Sequence, residues 1–194
     1  MGDPKKPKKK FHRPPHPWQK ARIEEEAPLI EEYGLKNKKE LWKITSKVSH
    51  FKEQAKTLIA RRGPQAEVEK QAFTNKLGKM GLLKEGAPMD DILDMSVKDL
   101  LERRLQTILM RKGLAKTAKQ ARQFIVHRHV VVKGQKMNIP SYLVAAGEEQ
   151  TITFDERSNL ADPEHPERKP KEQKPVTEVK EEKSEEETEE VVAE

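Results

Sequence analysis

The apolar residues of segment 96–113 recur at steps of three and four, which is the spacing of one face of a helix. Ser96 and Asp99 stand three residues apart at its start, as the two polar residues of a helix capping box do. Gly113 follows the last apolar residue and is typical of a helix end. The spacing therefore predicts one helix that begins after Ser96 and ends at Gly113.

The residues after this helix change from a helical period to a strand-like one. Thr117 and Gln120 have the capping-box spacing, and they open a second amphipathic helix. The run HVVVKGQKMNI that follows predicts a β-hairpin with its turn at residues 133–134, and TITF at residues 151–154 predicts another short strand. Residues 103–154 are therefore expected to form a small module with a helix-turn-helix and a β-hairpin.

The residues before this module predict helices almost throughout. Apolar residues at helical spacing indicate a long amphipathic helix in residues 37–62 and a second one in residues 64–80, with Gly-Pro between them. A short helical piece is expected around residues 90–95. Residues 23–102 are accordingly interpreted as a helical domain whose apolar faces pack against each other.

Both ends of the chain have compositions that cannot bury a core. Residues 1–22 contain five prolines and eight Lys or Arg, and they are predicted to form an extended basic arm. Residues 155–194 contain fifteen Asp or Glu and few apolar residues, and they are predicted to form a disordered acidic tail. The expected fold class is α+β: a mainly helical region, the small module, and these two unpacked ends.

Charge is distributed unevenly along the chain. Residues 1–22 carry a net charge of +7, residues 23–102 −1, residues 103–154 +8 and residues 155–194 −8. Between Glu102 and Glu148 lie 45 residues without Asp or Glu, although 33 of the 194 residues are acidic. A carboxylate would repel a phosphate backbone, so its exclusion from this stretch indicates a nucleic-acid partner. A basic face kept only for solubility usually mixes both signs.

If the apolar faces point inward, the cations and hydrogen-bond donors of the module remain near the surface as candidate RNA contacts. The candidates in the module are Arg103, Arg104, Arg111, Lys112, Lys116, Thr117, Lys119, Gln120, Arg122, Arg128, His129, Lys133, Lys136 and Ser141. Gln106, Gln123 and Asn138 are expected beside them. The arm adds Lys8, Lys9, Lys10, Arg13 and Trp18, because flat and basic side chains stack on bases and pair with phosphates.

The module also resembles a known family. Its marks are Arg104-Leu105, Gly113, Thr117, Ala121-Arg122, Ile125, Val130 to Val132, Gly134 and Asn138-Ile139-Pro140-Ser141-Tyr142. This combination resembles the small RNA-binding module first defined in the small-subunit ribosomal protein family numbered four. The arm with PPHPW, EEYGLKNKKELWK and DLLERRLQT resembles the archaeal and eukaryotic branch of that family.

This resemblance implies a structural component of the small ribosomal subunit, located in the cytoplasm. It implies that the chain binds small-subunit ribosomal RNA as a primary binder, nucleates assembly of the subunit body and contributes to translational accuracy. It further implies contacts with the small-subunit proteins numbered five and twelve. Two departures are visible: many bacterial members have Asp at the position of Gln106, and the zinc-binding cysteines of some bacterial members are absent.

Two alternatives remain open because the module also occurs in other proteins. They are a stand-alone RNA-binding factor that handles tRNA or responds to stress, and a subunit of an RNA-modifying enzyme. Residues 23–102 look too short and too helical for a catalytic domain, which argues against the enzyme.

Catalytic sites, metal sites and membrane spans find little support in the sequence. No phosphate-binding glycine loop or nucleophile elbow occurs, so an enzyme, a cofactor and a small-molecule substrate are not expected. His127 and His129 form an H-x-H pair without a third ligand nearby, which favours packing or RNA contact over a metal. Without cysteine or a run of about 18 apolar residues, a soluble cytoplasmic protein without a membrane partner is expected.

Overall fold

Seven helices and three short strands follow one another along the part of the chain that the computed structural model describes, which is residue 9 and residues 11–84, 86–162 and 165–167. The helices are α1 (Lys20–Glu32), α2 (Lys38–Ala60), α3 (Pro64–Lys79), α4 (Asp91–Asp94), α5 (Val97–Glu102), α6 (Leu105–Arg111) and α7 (Ala118–Val126). The strands are β1 (Val130–Val132), β2 (Gln135–Met137) and β3 (Ile152–Phe154). Helices therefore precede a small sheet, and the α+β class is confirmed.

Helix α2 is the centre of the first hydrophobic core. Its apolar stripe, which includes Leu41, Val48 and Phe51, is buried against residues of α3, α4 and α5. The rings of Phe51 and Phe73 meet edge to face with their centroids 6.3 Å apart. The helical spacing of this region thus reflects packing between helices, as the sequence indicates.

A second core lies under α6, α7 and the sheet. The three strands are antiparallel in the order β2-β1-β3, with Val130 opposite both Met137 and Phe154. Lys133 and Gly134 connect β1 to β2 with φ angles of 49° and 78°. Two consecutive positive φ angles match the twist of a tight hairpin, so the predicted turn and both predicted strand segments are confirmed.

The predicted single helix from Ser96 to Gly113 is wrong in one respect, because it is broken into α5 and α6. Arg104 adopts an extended backbone between the two helices and forms an isolated antiparallel bridge with Leu143. The backbone amide of Leu105 donates to the Tyr142 carbonyl at 2.8 Å. The hydrogen bonds to residues 142–144 replace those that would continue the helix, so Arg103 and Arg104 no longer lie on the face of one helix.

Both predicted ends are shorter than composition indicates. Helix α1 begins at Lys20, inside the predicted arm. Residues 155–162, which were assigned to the tail, continue the module, because Leu160 is buried in the second core. The remaining tail apart from residues 165–167 lies outside the described residues, and so the predicted disorder of this part stays a prediction.

The two cores meet at a tight junction between the turn after α1 and the start of α7. Gly34 has φ +56°, and a Cβ atom there would lie 2.9 Å from both the Ala118 Cβ and the Gln106 Nε2. The Gln106 side chain is fully buried and donates from Nε2 to the carbonyls of Tyr33, Gly34 and Ala118 at 3.2, 3.0 and 2.8 Å. One amide group thus connects the helical region to the module.

Replacing Ser96 by alanine should lower the free energy of unfolding by about 1 kcal/mol. The Ser96 hydroxyl accepts from the Asp99 amide at 3.3 Å, and the Asp99 carboxylate accepts from the Ser96 amide at 2.7 Å. The substitution removes the first of these bonds and leaves an amide of α5 unpaired. Urea unfolding would measure the loss, with Ser49→Ala, a change of an exposed serine inside α2, as the comparison. Equal stability of Ser96→Ala and wild type would contradict a stabilising cap.

Candidate RNA-binding surface

Helix α7 begins among exposed basic residues. The Thr117 hydroxyl accepts from the Gln120 amide at 3.2 Å, and Gln120 Oε1 accepts from the Lys116 amide at 2.8 Å. These bonds fix the first turn of the helix. Lys112 and Lys119 are exposed and Lys116 is half-buried near this turn. The basic residues predicted around the start of α7 therefore lie on an accessible face.

Acidic residues from outside the 45-residue stretch fold back onto many of the predicted cations. Arg103 pairs with Glu149, Arg111 with Glu102, Lys133 with Glu148 and Lys136 with Asp155. The Lys112 ammonium also donates to the Glu149 carbonyl. The acid-free sequence thus does not form an acid-free surface, because its flanks supply carboxylates at four points.

Two of these pairs shift the pKa values of Lys133, Glu148 and Asp155. The hydrogen bond between Lys133 and Glu148 raises the pKa of Lys133 and lowers the pKa of Glu148. The hydrogen bond from Lys136 lowers the pKa of Asp155. Lys133, Glu148 and Asp155 are therefore held in their charged forms at neutral pH, and water around the exposed lysine ends limits the strength of both pairs.

The expected surface positions of Arg104 and Gln106 are wrong. The Arg104 side chain is 2% exposed, and its Nη2 donates to Glu40 Oε2 at 3.0 Å. Gln106 is fully buried at the junction between the two cores. Both residues follow the break between α5 and α6, which directs their side chains toward the helical region. Neither group is available to a partner at the surface.

Arg122 shares the same carboxylate from the opposite side. Its Nη1 and Nη2 donate to Glu40 Oε2 and Oε1 at 3.2 and 2.7 Å, and its side chain is 21% exposed. Burial alone would raise the pKa of Glu40, but the hydrogen bonds and charges of Arg122 and Arg104 outweigh burial and hold that pKa below its ordinary value. Glu40 was absent from the candidate residues, because nothing local in the sequence indicates a partner 64 or 82 residues away.

Lys119 and Arg128 are the cations of the module that form no ion pair or side-chain hydrogen bond within the described ranges. Arg128 has φ 63° directly after α7, in the left-handed region where glycine is usual at a helix end. It borders an open groove of about 740 Å³ together with His127, His129 and Arg157. The His129 Nδ1 lies 2.8 Å from the Ser158 hydroxyl, so that ring is anchored rather than free.

The described part of the arm forms a second basic groove with the start of α2. Phe11 stacks near Trp42 with ring centroids 6.4 Å apart, and the His12 amide donates to Ser46 Oγ at 2.9 Å. The groove has a volume of about 880 Å³. Its lining residues are Lys9, Phe11, His12, Arg13, Asn37, Lys38, Lys39 and Trp42. The α2 residues of this groove were not predicted, although the two cations beside an aromatic residue in KKELW are a signal for such a contact.

The remaining candidates vary in their placement. Ser141 is exposed near the end of the module, and Trp18 is 88% exposed on the arm without stacking on another ring among the described residues. Lys8 and Lys10 lie outside the described residues. The predicted candidates therefore form a face around α7, a hairpin edge and an arm groove, rather than one continuous cluster.

The described part of the chain contains no group of three or more His, Cys, Asp or Glu residues arranged to hold a metal ion. The rings of His127 and His129 lie 6.2 Å apart. None of the described helices is long and apolar enough to cross a bilayer.

Comparisons with known proteins identify similar chains. A family model described as the S4 domain matches residues 103–149. The chain is 52% identical over 164 residues to small ribosomal subunit protein uS4 of Nanoarchaeum equitans, covering 84% of this chain and 91% of that protein. It is 48% identical over 169 residues to uS4 of Methanococcus aeolicus, covering 87% and 96%. With uS4 of Methanothermobacter thermautotrophicus the identity is 44% over 154 residues, covering 79% and 90%.

Proposed function

The chain belongs to the uS4 family of small ribosomal subunit proteins, and from this premise we propose that it binds small-subunit ribosomal RNA through the exposed face of α7 and the groove of the arm. It is a structural component of the small ribosomal subunit rather than an enzyme. The reading as an RNA-modifying enzyme is thereby set aside.

The proposal rests on the position of the basic residues that form no ion pair with an acidic residue in the described structure. The S4-domain match spans residues 103–149, and within it Lys119 and Arg128 are exposed without an ion-pair partner in the described structure. Lys116 donates only to a neutral carbonyl, so it also keeps its full charge. Such cations release counterions when they meet phosphates, and this release is the main source of affinity for a nucleic-acid backbone.

The groove of the arm supports a second contact on the same RNA. Lys9, Arg13 and Lys39 border it without an ion-pair partner among the described residues, and Trp42 adds an aromatic ring. Folded RNA offers phosphates and unstacked bases together at its junctions and loops. A protein that contacts RNA at both the α7 face and the arm groove is suited to hold two helices of a junction in one relative orientation.

Footprinting on small-subunit ribosomal RNA tests the proposal directly. We expect the protein to protect a limited set of backbone positions around one junction, and to co-sediment with small subunits through moderate salt. A stand-alone RNA-binding factor would instead remain in the free-protein fraction. Recovery only in that fraction, with no protected positions, would refute the ribosomal function.

The variant Lys116→Ala/Lys119→Ala should reduce the slope of log K against log salt by about two, because each phosphate contact contributes roughly one unit. Adding Arg122→Ala should change the slope little, since Glu40 already holds that guanidinium. Filter binding at several salt concentrations measures this. The control Lys79→Ala/Lys84→Ala removes two exposed lysines from the helical region and should keep most of the slope. Equal slopes for both double variants would contradict a special role of α7.

The family resemblance also implies protein neighbours, a role in assembly and an effect on decoding. We propose that the bound protein contacts the small-subunit proteins numbered five and twelve, that it nucleates assembly of the subunit body, and that it influences decoding accuracy in the cytoplasm. Cross-linking of assembled subunits followed by mass spectrometry would identify neighbouring proteins. Cross-links that exclude both of these proteins would remove this part of the proposal.

A further inference from the structure

The chain that follows β3 returns to the start of α7. The Lys116 ammonium donates to the Pro166 carbonyl at 3.1 Å, and Gln120 Nε2 donates to the Glu167 carbonyl at 3.2 Å. The same segment borders the groove that contains Gln123 of α7. The segment 165–167 therefore lies against Lys116, two residues before α7, and against the face of α7 that carries Gln120 and Gln123.

This position matters because that face is the proposed RNA-binding surface. The carbonyls of residues 166 and 167 accept hydrogen bonds from Lys116 and Gln120, and these two donors could otherwise bind a phosphate oxygen. They bring no negative charge, so the charges of Lys112, Lys116 and Lys119 remain uncompensated by a carboxylate among the described residues. The surface is thus partly covered but still strongly basic.

The sequence that continues from Glu167 has the charge to complete this cover. Residues 168–174 hold four basic residues and one Glu, and residues 178–194 hold nine Glu and two Lys. The eleven residues from 168 to 178 can span up to about 35 Å, whereas α7 is only about 14 Å long. The acidic residues can therefore reach every lysine around the start of α7.

We propose that residues 178–194 bind the surface formed by Lys112, Lys116 and Lys119 when RNA is absent, and that they compete there with RNA. This inference rests on the proposed function, since it concerns the same surface. A tethered acidic peptide has an effective concentration in the millimolar range at a site this close. Such competition suppresses weak, non-specific RNA contacts, while the many simultaneous contacts of the correct RNA displace the peptide.

The first test needs no RNA. We expect changing all nine Glu residues of 178–194 to Gln to shift the backbone amide signals of Lys112, Lys116 and Lys119 in nitrogen-15 NMR spectra of the full chain at low salt. High salt should remove the difference between the two proteins, because it screens exposed charges. Identical spectra at low salt would overturn the proposal. They are also the result expected if the acidic residues pair with residues 168–174 instead.

The second test uses a short labelled oligouridylate as a non-specific probe. The glutamine variant should bind it on the order of tenfold more tightly than the wild type at low salt. The control Lys180→Gln/Lys183→Gln makes the same segment more acidic and should weaken binding. Equal affinities for all three proteins would overturn the competition. If none of them bound RNA, the proposed function would fail, whereas the amide signals would still decide whether the acidic segment contacts the surface.

Discussion

Replacing Glu40 by alanine should lower the free energy of unfolding by about 3–5 kcal/mol, because it leaves a buried guanidinium without a counter-charge. The Arg104 side chain is 2% exposed, and Glu40 is its one hydrogen-bond partner in the described structure, where Arg104 Nε and Nη1 are buried without any. Burial lowers the pKa of Arg104, and the hydrogen bond and charge of Glu40 offset this only in part. Urea unfolding at neutral pH measures the loss.

Glu53→Ala provides the matched control for this experiment. Glu53 lies on the same helix, α2, but is exposed, and its substitution should change the free energy of unfolding by less than about 0.5 kcal/mol. Arg122→Ala should cost less than Glu40→Ala, since Arg104 keeps its carboxylate in that variant. A loss below about 1 kcal/mol for Glu40→Ala would show that Arg104 does not depend on this pair.

The contribution of Glu40 should also depend on pH in a defined direction. Its pKa is lowered in the folded protein, so its charged form stabilises the fold at pH values above its unfolded pKa. The stability difference between wild type and Glu40→Gln should therefore be constant near neutral pH. It should shrink as the pH falls through the lowered pKa of the folded state, because both proteins then carry a neutral group. A difference that grows on acidification would contradict the ion pair.

Gln106→Glu should lower the free energy of unfolding by about 3 kcal/mol or more, because it places a carboxylate against three carbonyl oxygens. The Gln106 amide donates to the carbonyls of Tyr33, Gly34 and Ala118, and a carboxylate has no hydrogen to donate unless it is protonated. The variant should consequently recover part of its stability at acidic pH. Thermal unfolding at two pH values would record both effects.

Gln123→Glu is the corresponding control, since Gln123 is exposed on α7 and its change adds the same charge. It should leave the free energy of unfolding within about 0.5 kcal/mol of the wild type. If Gln106→Glu were equally mild, the junction between the two cores would not depend on the buried amide.

The roles of Glu40 and of the buried Gln106 amide depend on partners far away in the sequence. Arg104 was grouped with the surface cations because it lies beside Arg103 in a segment predicted to be one continuous helix. The bridge between Arg104 and Leu143 breaks that helix and turns the side chain inward. No residue within one helical turn of Arg104 indicates this break, since it depends on pairing with a segment 39 residues further along the chain.

The features that depend on near neighbours could be predicted from the sequence alone. The cap formed by Ser96 and Asp99, the cap at Thr117 and the hairpin turn at Lys133 and Gly134 all follow from residues at most four positions apart. Their physical basis is local, because backbone hydrogen bonds of helix ends and turns are satisfied within one turn of chain. The excess of basic residues in the module was equally a property of composition.

Which of these basic residues remain available to RNA depends on the acidic residues that tertiary packing places beside them. Glu40 holds Arg104 and Arg122, and the acidic flanks fold back onto the hairpin. Lys119 and Arg128, by contrast, stay unpaired in the described structure. Charge interactions decline with distance in space and not with distance along the chain, so the partners of a cation emerge only when distant segments are packed together.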